Sequence, residues 1–271
     1  MRVRFVTSVL NRLVAEGLLG RDESILAVCA GRSEQKLFGN LGFADVTMSN
    51  SDERLGGEDF APFGWSRQDA QALTFEDRQF EFAFVSDGLH HVSRPHQALT
   101  EMYRVSRKGI IVIESRDSLI MRLAVRMGLS WGYEIGEVAR NDYRYGGVDN
   151  GPIPNHIYRW TEREFAKTVR TFDPTGRHGF RFFYGLNTEP PDSKDFTGLK
   201  LLAIRLGTPL LWLLTRVFPG QCNTFAMVAL RPRVPEDLWP WLKAEAGQIV
   251  PDRVFLDRYG PRSEGDGGRE G

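Results

Sequence analysis

The spacing of apolar residues changes several times along the chain, and each change marks an element. Val6, Val9, Leu10, Leu13 and Val14 recur at helical intervals with polar and charged residues between them, which predicts an N-terminal helix over 1–20. "SILAVCA" (24–30) is a β-branched and small apolar run of strand length. "RSEQKLFGNLG" (32–42) reads as a short helix stopped at Gly42, and "ADVTMSN" (44–50) as a second strand. A loop rich in Gly, Pro and aromatics follows over 55–65, and the chain re-enters with "SRQDAQALTF". "FEFAFVSDG" (80–88) and "KGIIVIES" (108–115) are apolar strands. They flank the amphipathic "RPHQALTEMYRVSR", where Pro95 sits in the first helical turn and its missing N–H costs nothing. "SLIMRLAVRMGL" is another helix, stopped near Gly128. Over 130–154 the periodicity disappears, with "YRYGGVDNGPIPN" at its heart. A loop this long inside a domain is a functional segment or a disordered one. "TEREFAKTVRTF" then predicts a helix capped by Thr161, with Glu164 at the box position. "GFRFFYGL" and "NTFAMVALRP" close the series as strands.

Strands alternating with helices of about ten residues imply a parallel sheet covered on both faces, and the strands lack polar alternation, as doubly buried strands should. The expected fold is α/β: a doubly wound, seven-stranded, mostly parallel sheet. It fills 21–232, with an insert at about 129–160, an appended arm over 233–260 and a disordered tail over 261–271. In such sheets ligands bind beyond the carboxyl ends of the strands, where strand order reverses. That rule gathers 29–32, 50–53, 69–70 and 86–91 around one crevice, Ser86, Asp87 and His91 included.

The greasiest segment, 198–218, needs separate treatment. Lys200, Arg205 and Arg216 interrupt it and Pro209 breaks it, so a membrane-spanning helix is not expected. It reads as a helix pair buried against or covering the domain, with peripheral membrane contact as the lesser alternative. Its Leu199–Phe218 stretch would wall an apolar acceptor pocket, favouring a lipid-, quinone- or glycan-linked acceptor. The balanced 35 basic and 35 acidic residues give no reason to expect a nucleic-acid partner. Two distant cysteines, Cys29 and Cys222, argue against a disulfide framework, and the opening helix lacks the uninterrupted run of a secretory signal. A cytoplasmic protein is expected.

The crevice residues suggest a ligand. There is no G-x-G-x-x-G and no G-x-x-x-x-G-K-[ST], which disfavours a dinucleotide or P-loop site. Ala30-Gly31 offers a small-residue turn. Asn50 can bond ribose hydroxyls or cap a turn. Asp69 can accept from an exocyclic amine or stand as a solvated loop acid.

Together the residues of 67–115 resemble the class I S-adenosylmethionine-dependent methyltransferases, particularly the small-molecule branch. Asp69, Ala70, Leu73, Phe75, Phe80, Leu89, His90, His91, Val92, Ala98, Leu99, Glu101, Arg104, Val105 and Gly109 fall in register with that family's motifs. The resemblance implies S-adenosylmethionine as cofactor, Asp69-Ala70 as the pair facing adenine, and a small or mid-sized metabolite methylated at oxygen or nitrogen. It also exposes a departure. "AVCAGRS" stands where the family carries an acid and three glycines: Ala27 replaces the acid, Cys29 and Ser33 two of the glycines, and Gly31 remains. Asn50, with Asp52 just beyond, replaces the usual acid after strand two.

A base for an oxygen or nitrogen acceptor would be His91, His90 or His156, with His91 and His156 foremost. Metal ligation by "HH" is not expected, because adjacent residues on an extended chain face opposite ways. Tyr143, Arg144 and Tyr145 are expected on a lid over the substrate, hinged at Gly146-Gly147, with Tyr158 and Arg159 in the substrate wall. The competing reading, from the altered turn, is a non-catalytic binding or scaffold protein. An open pocket joining Gly31, Asn50, Asp69 and Ser86 would favour the enzyme, and side chains of Cys29 or Arg32 filling it would favour the scaffold.

Overall fold

A computed structural model describes residues 2–187 and 198–260 of the chain, and the tail over 261–271 lies outside them. Seven strands form one sheet: β1 (Ile25–Val28), β2 (Val46–Asn50), β3 (Gly64–Arg67), β4 (Phe80–Ser86), β5 (Ser106–Ser115), β6 (Gly179–Gly185) and β7 (Thr224–Leu230). Their order is β3-β2-β1-β4-β5-β7-β6, with β7 antiparallel to both its neighbours and the rest parallel. The expected seven-stranded, mostly parallel sheet is present, and its strand order reverses between β1 and β4.

Burial on both faces explains the unbroken apolar strands. Ile25 and Ala27 of β1 point into one core with Phe82, Phe84, Ile111 and Ile113. Leu26 and Val28 point into the other with Ala83, Val85, Ile110 and Val112. The first core is covered by α1 (Arg2–Ala15), through Val6, Val9, Leu10 and Leu13, and by α2 (Arg32–Leu41), through Leu37 and Phe38. The second is covered by α3 (Pro95–Val105), through Ala98, Leu99 and Met102, and by α6 (Glu162–Phe172), through Phe165 and Val169. Gly42 ends α2 at φ 71, donating its N–H back to the last turn, and Thr161 accepts the Glu164 N–H at 3.2 Å to start α6.

Four expectations need correction. β3 falls partly in what the pattern gives as loop. It is a four-residue edge strand held to β2 by backbone pairing, with no buried side chain to print a period. The insert is not irregular throughout: after the expected helix α4 (Leu119–Arg126) it holds the short α5 (Ile135–Arg140) and a single turn at Val148–Asn150. The expected helix pair is one continuous helix, α7 (Gly198–Val217), with Pro209 inside it. Proline removes only one bond of the ladder, and where a helix faces water the freed carbonyl is hydrated, so the chain continues. The apolar residues of α7 also face outward, with Leu199, Leu206 and Leu210 all strongly exposed. They line neither of the two cavities that open beyond the carboxyl ends of the strands.

The arm over 233–260 forms a hairpin, β8 (Leu242–Glu245) with β9 (Gln248–Pro251), and then α8 (Arg253–Tyr259). Its beginning docks on its own domain: Leu238 is buried, and Arg177 N–H donates to the Asp237 carbonyl at 2.7 Å.

Candidate functional site

Two cavities open beyond the carboxyl ends of the strands and share a wall. One, of about 280 Å³, is lined by Cys29, Asn50, Ser51, Asp52 and Arg54 from the ends of β1 and β2, by Asp87, Gly88, His91 and Val92 after β4, and by Glu137, Asn141, Gly146, Gly147, Asp149 and Asn150 from the insert. The other, of about 320 Å³, is lined by Asp87, His90, His91, Ser115, Met121, Ser130, Glu134, Glu137, Ile157, Arg159, Asn187, Asn223 and Thr224. Asp87, His91 and Glu137 belong to both.

The shared wall sits at the reversal of strand order. Cys29 and Asp87, the first residues past β1 and β4, both take left-handed backbone, at φ 52 and φ 55. Non-glycine residues held there carry strain, and such residues cluster at functional sites. The two turns touch: a Cβ at Gly88 would lie 2.5 Å from that of Cys29, so only glycine fits. Burial, with Glu114, Asp69 and Glu34 nearby, pushes the Cys29 thiol up to about 12, which makes it packing material and no nucleophile.

Other side chains of the first cavity are engaged within the fold. Asn50 donates to the Ala30 carbonyl at 3.0 Å and accepts the Asp52 N–H at 3.0 Å. Asp52 grips Arg54 through both oxygens, the closest contact being 2.6 Å, and that hydrogen-bonded guanidinium holds its carboxyl below the usual range. Arg54 in turn stacks on Tyr145, 4.1 Å from the ring centre, and donates to Asn141 at 3.2 Å. The cavity therefore presents Asp52, Asp87, Glu137 and Asp149 against one guanidinium.

The histidine pair is organised by two acids. His90 and His91 lie on a one-turn helix (Leu89–His91), not on extended chain, so their rings lie side by side with centres 4.6 Å apart. Fully buried Glu114 accepts the Leu89 N–H and the His90 Nδ1–H, each at 2.7 Å. Glu134 lies 3.4 Å from His90 Nε2 and 3.2 Å from His91 Nε2. Burial alone would lower the His90 pKa, but the two carboxylates push it up to about 10, so it stands as an imidazolium. His91 moves the other way, lowered by burial and by the charge on His90, and stays neutral near pH 7. With Nε2 bonded to Glu134, Nδ1 is its lone-pair nitrogen. The reasoning that adjacent histidines point apart fails here: His90, His91 and Glu134 bring their polar atoms within 4.8 Å of one another. Every one of these contacts is accounted for by the ion-paired network itself.

Of the residues expected in the crevice, the structure brings Cys29, Asn50, Asp52, Asp87, His91 and Arg159 to cavity walls. Ala30, Gly31, Asp69, Ala70 and Ser86 do not line either cavity. The Gly31 N–H is taken by Glu34 at 2.9 Å, and Asp69 caps its own turn by accepting the Gln71 N–H at 2.9 Å. His156 is exposed and packs edge-on against Tyr133, away from both cavities. Tyr158 is captured by Glu164 in the first turn of α6. Tyr143 and Arg144 face solvent, and Tyr145 covers Arg54 beside the first cavity, so the expected lid segment borders that cavity. Gly147 is closely packed, because a Cβ there would meet the Ile153 carbonyl at 1.9 Å. What holds this segment down is Asp149, which accepts from Ser93 N–H at 2.9 Å and Gln71 Nε2 at 3.0 Å.

Glu114 and Glu134 escaped the sequence reading. An acid closing the apolar run "IIVIES" is a signal that could have flagged Glu114, whereas Glu134, inside an aperiodic stretch, prints none.

Comparison with known proteins agrees with the fold. Residues 41–113 match a family model described as a methyltransferase domain, a match that begins past the altered "AVCAGRS" turn. The chain is 42% identical over 52 residues to the ubiquinone/menaquinone biosynthesis C-methyltransferase UbiE of Ruegeria sp. (strain TM1040), covering 18% of this chain and 21% of that one. It is 31% identical over 126 residues to the protein of the same description from Dinoroseobacter shibae (strain DSM 16493 / NCIMB 14021 / DFL 12), covering 41% and 45%. The chain thus spans less than half the length of these curated relatives. A solved SAM dependent methyltransferase from Archaeoglobus fulgidus superposes with a TM-score of 0.51 at 13% identity, over 84% of this chain and 94% of that one. The fold is therefore that of the class I S-adenosylmethionine-dependent methyltransferases, and the resemblance read from 67–115 lies largely within the matched segment.

Proposed function

We propose that the protein transfers a methyl group from S-adenosylmethionine to a small or mid-sized metabolite at an oxygen or nitrogen atom. The observation that carries this reading is the pair of cavities meeting at Asp87 and His91, one of them lined by four carboxylates against one guanidinium. A pyrophosphate would be repelled there, whereas S-adenosylmethionine, with its sulfonium and ammonium, suits that charge. Against the scaffold reading, Arg32 points away and pairs with Asp59 at 2.8 Å, although of Gly31, Asn50, Asp69 and Ser86 only Asn50 lines the cavity.

When bound, the cofactor supplies an electrophilic methyl on its sulfonium. Asp52, Asp87 and Asp149 would hold the cationic ligand, and the Cys29–Gly88 contact would set how closely backbone approaches it. The acceptor would occupy the second cavity, with Arg159 oriented by its bond to the Trp131 carbonyl at 2.7 Å. His91 would remove the acceptor proton at Nδ1, and Glu134 would orient the ring and stabilise the imidazolium that results. The relatives' printed role as C-methyltransferases adds an activated ring carbon to the acceptors to be tried.

Calorimetric titration with S-adenosylmethionine and S-adenosylhomocysteine, on the wild type and on Asp87→Asn, tests the proposal. Micromolar binding that Asp87→Asn weakens more for S-adenosylmethionine, which alone carries the sulfonium charge, supports it. No heat with either ligand from folded protein returns the scaffold reading.

A further inference from the structure

The helix α7 turns an apolar stripe outward. On an ordinary surface helix the apolar stripe faces the core and the polar face meets water. Here Leu199, Leu202, Leu206, Leu210, Leu213 and Val217 recur at intervals of three or four and make one face along the whole helix. All six are exposed, Leu199 at 83%, Leu206 at 66% and Leu210 at 70%. The opposite face carries Leu201, Ile204 and Leu211, all half-buried, with Thr208 and buried Thr215. The threonine hydroxyls donate to the carbonyls of Ile204 and Leu211 in the same helix, at 2.7 and 2.8 Å. So α7 carries apolar residues on both sides, and its continuous leucine stripe is the outer one.

α4 also turns apolar residues outward. Leu119, Leu123 and Met127 are spaced four apart and exposed, and no residue of that helix is buried. It begins where α7 ends: the Ser118 hydroxyl and the Ile120 N–H bond Gln221, in the turn that follows α7, at 3.4 and 3.3 Å.

Charge decides what covers these faces. Neither helix contains an acidic residue, although the chain as a whole is neutral. Arg122 and Arg126 lie on α4, and Arg205 and Arg216 on α7, with the Arg216 guanidinium 5.0 Å from the centre of the Trp212 ring. A second copy of the chain would bring the same arginines to the contact, whereas anionic headgroups meet them with opposite charge. Leucine along one side, arginine at its flank and a tryptophan between them is the composition of a helix lying in a membrane interface. We propose that α7, with α4 beside it, docks the protein on the surface of an anionic lipid bilayer. The helix lies on that surface and does not cross it, since among the described residues no helix is long and apolar enough to span a membrane. Met121 of α4 and Asn223, two residues past the turn after α7, line the second cavity, so the docked surface adjoins the site. The docking stands whether or not the chain transfers methyl groups.

Flotation of the full chain tests this, using vesicles of phosphatidylcholine alone and vesicles with about a third phosphatidylglycerol. The expected result is flotation with the anionic vesicles, at least about tenfold weaker flotation with phosphatidylcholine, and release as salt rises. Leu206→Asp with Leu210→Asp should weaken binding by about tenfold or more. Arg205→Ser with Arg216→Ser should abolish the preference for anionic lipid. Both variants should keep the wild-type circular dichroism and thermal transition, because these side chains face outward. No flotation with either vesicle overturns the proposal, as does flotation indifferent to the two aspartates. A dimer in sedimentation that the aspartates dissolve also overturns it, by assigning the stripe to a second copy.

Discussion

Replacing Glu114 by Gln leaves a buried imidazolium with half of its compensation, and breaking a buried pair of this kind costs about 3–5 kcal/mol. The imidazole can shed its proton instead, which keeps the loss in Glu114→Gln toward the lower end in urea unfolding at pH 7. The pH dependence has two limbs. His90 is raised to about 10, so its contribution is full below the ordinary imidazole value and is lost as pH climbs through about 10. Glu134 is lowered to about 2, so its contribution is present above the ordinary carboxylate range and is lost as pH falls through about 2. Urea midpoints across pH should show both limbs, and Glu114→Gln should flatten the alkaline one. His91 behaves differently, because it must be neutral to act and its pKa is lowered. The rate with any acceptor found by screening should rise with pH through a value below about 6.5 and be level at neutrality. His91→Ala should lower kcat by roughly 10²–10⁴ while leaving the calorimetric affinity for S-adenosylhomocysteine within about twofold; an unchanged kcat would remove His91 from the chemistry.

Among the elements, the turn at Val148–Asn150 closes the first cavity through one side chain. Asp149 and Asn150 are themselves held in left-handed backbone, at φ 50 and φ 58, a cost the Asp149 hydrogen bonds offset. Asp149→Ala should release the segment. Amide exchange over 146–150 should quicken, and stopped-flow binding of S-adenosylhomocysteine should show faster association and faster dissociation together. Unaltered exchange would mean that packing around Gly147 alone holds it. For α7 the interior proline is the testable feature. An interior Pro disfavours a helix by about 3 kcal/mol, so Pro209→Ala should slow amide exchange on either side of residue 209. The global unfolding midpoint should hardly move, because the outer face of α7 packs against no core.

At the scale of the whole molecule, the two cores share one sheet, and the shared wall of the cavities sits where its parallel strand order reverses. A ligand bound there bridges β1, β4 and the insert, so binding should couple to global unfolding. With S-adenosylmethionine at about 100 times its Kd the chain should gain about 2.7 kcal/mol, seen as a raised Tm in differential scanning fluorimetry. An unmoved transition at saturating ligand would mean that the site lies outside the cooperative unit or does not bind.

The sequence by itself determined the order of the main strands and helices and the face that each strand of the sheet core and each of α1, α2, α3 and α6 buries. It did so because strand and helix periodicities are local, and a doubly buried strand such as β1 can be written only in apolar residues. The 67–115 motifs were legible for the same reason, since their residues lie close together along one strand–helix–strand run. Where the period was absent the reading failed: β3 owes its place to backbone pairing with β2, and Glu134 stands in a stretch with no pattern. Tertiary structure alone decided the site's chemistry. Glu114 reaches His90 from 24 residues away, and Gln71 ties Asp149 from 78. Those contacts hold His90 charged, leave His91 neutral and fold the insert over the first cavity. It also decided which way α7 turns its leucines, because hydrophobic spacing fixes that a helix has an apolar face but not what that face meets.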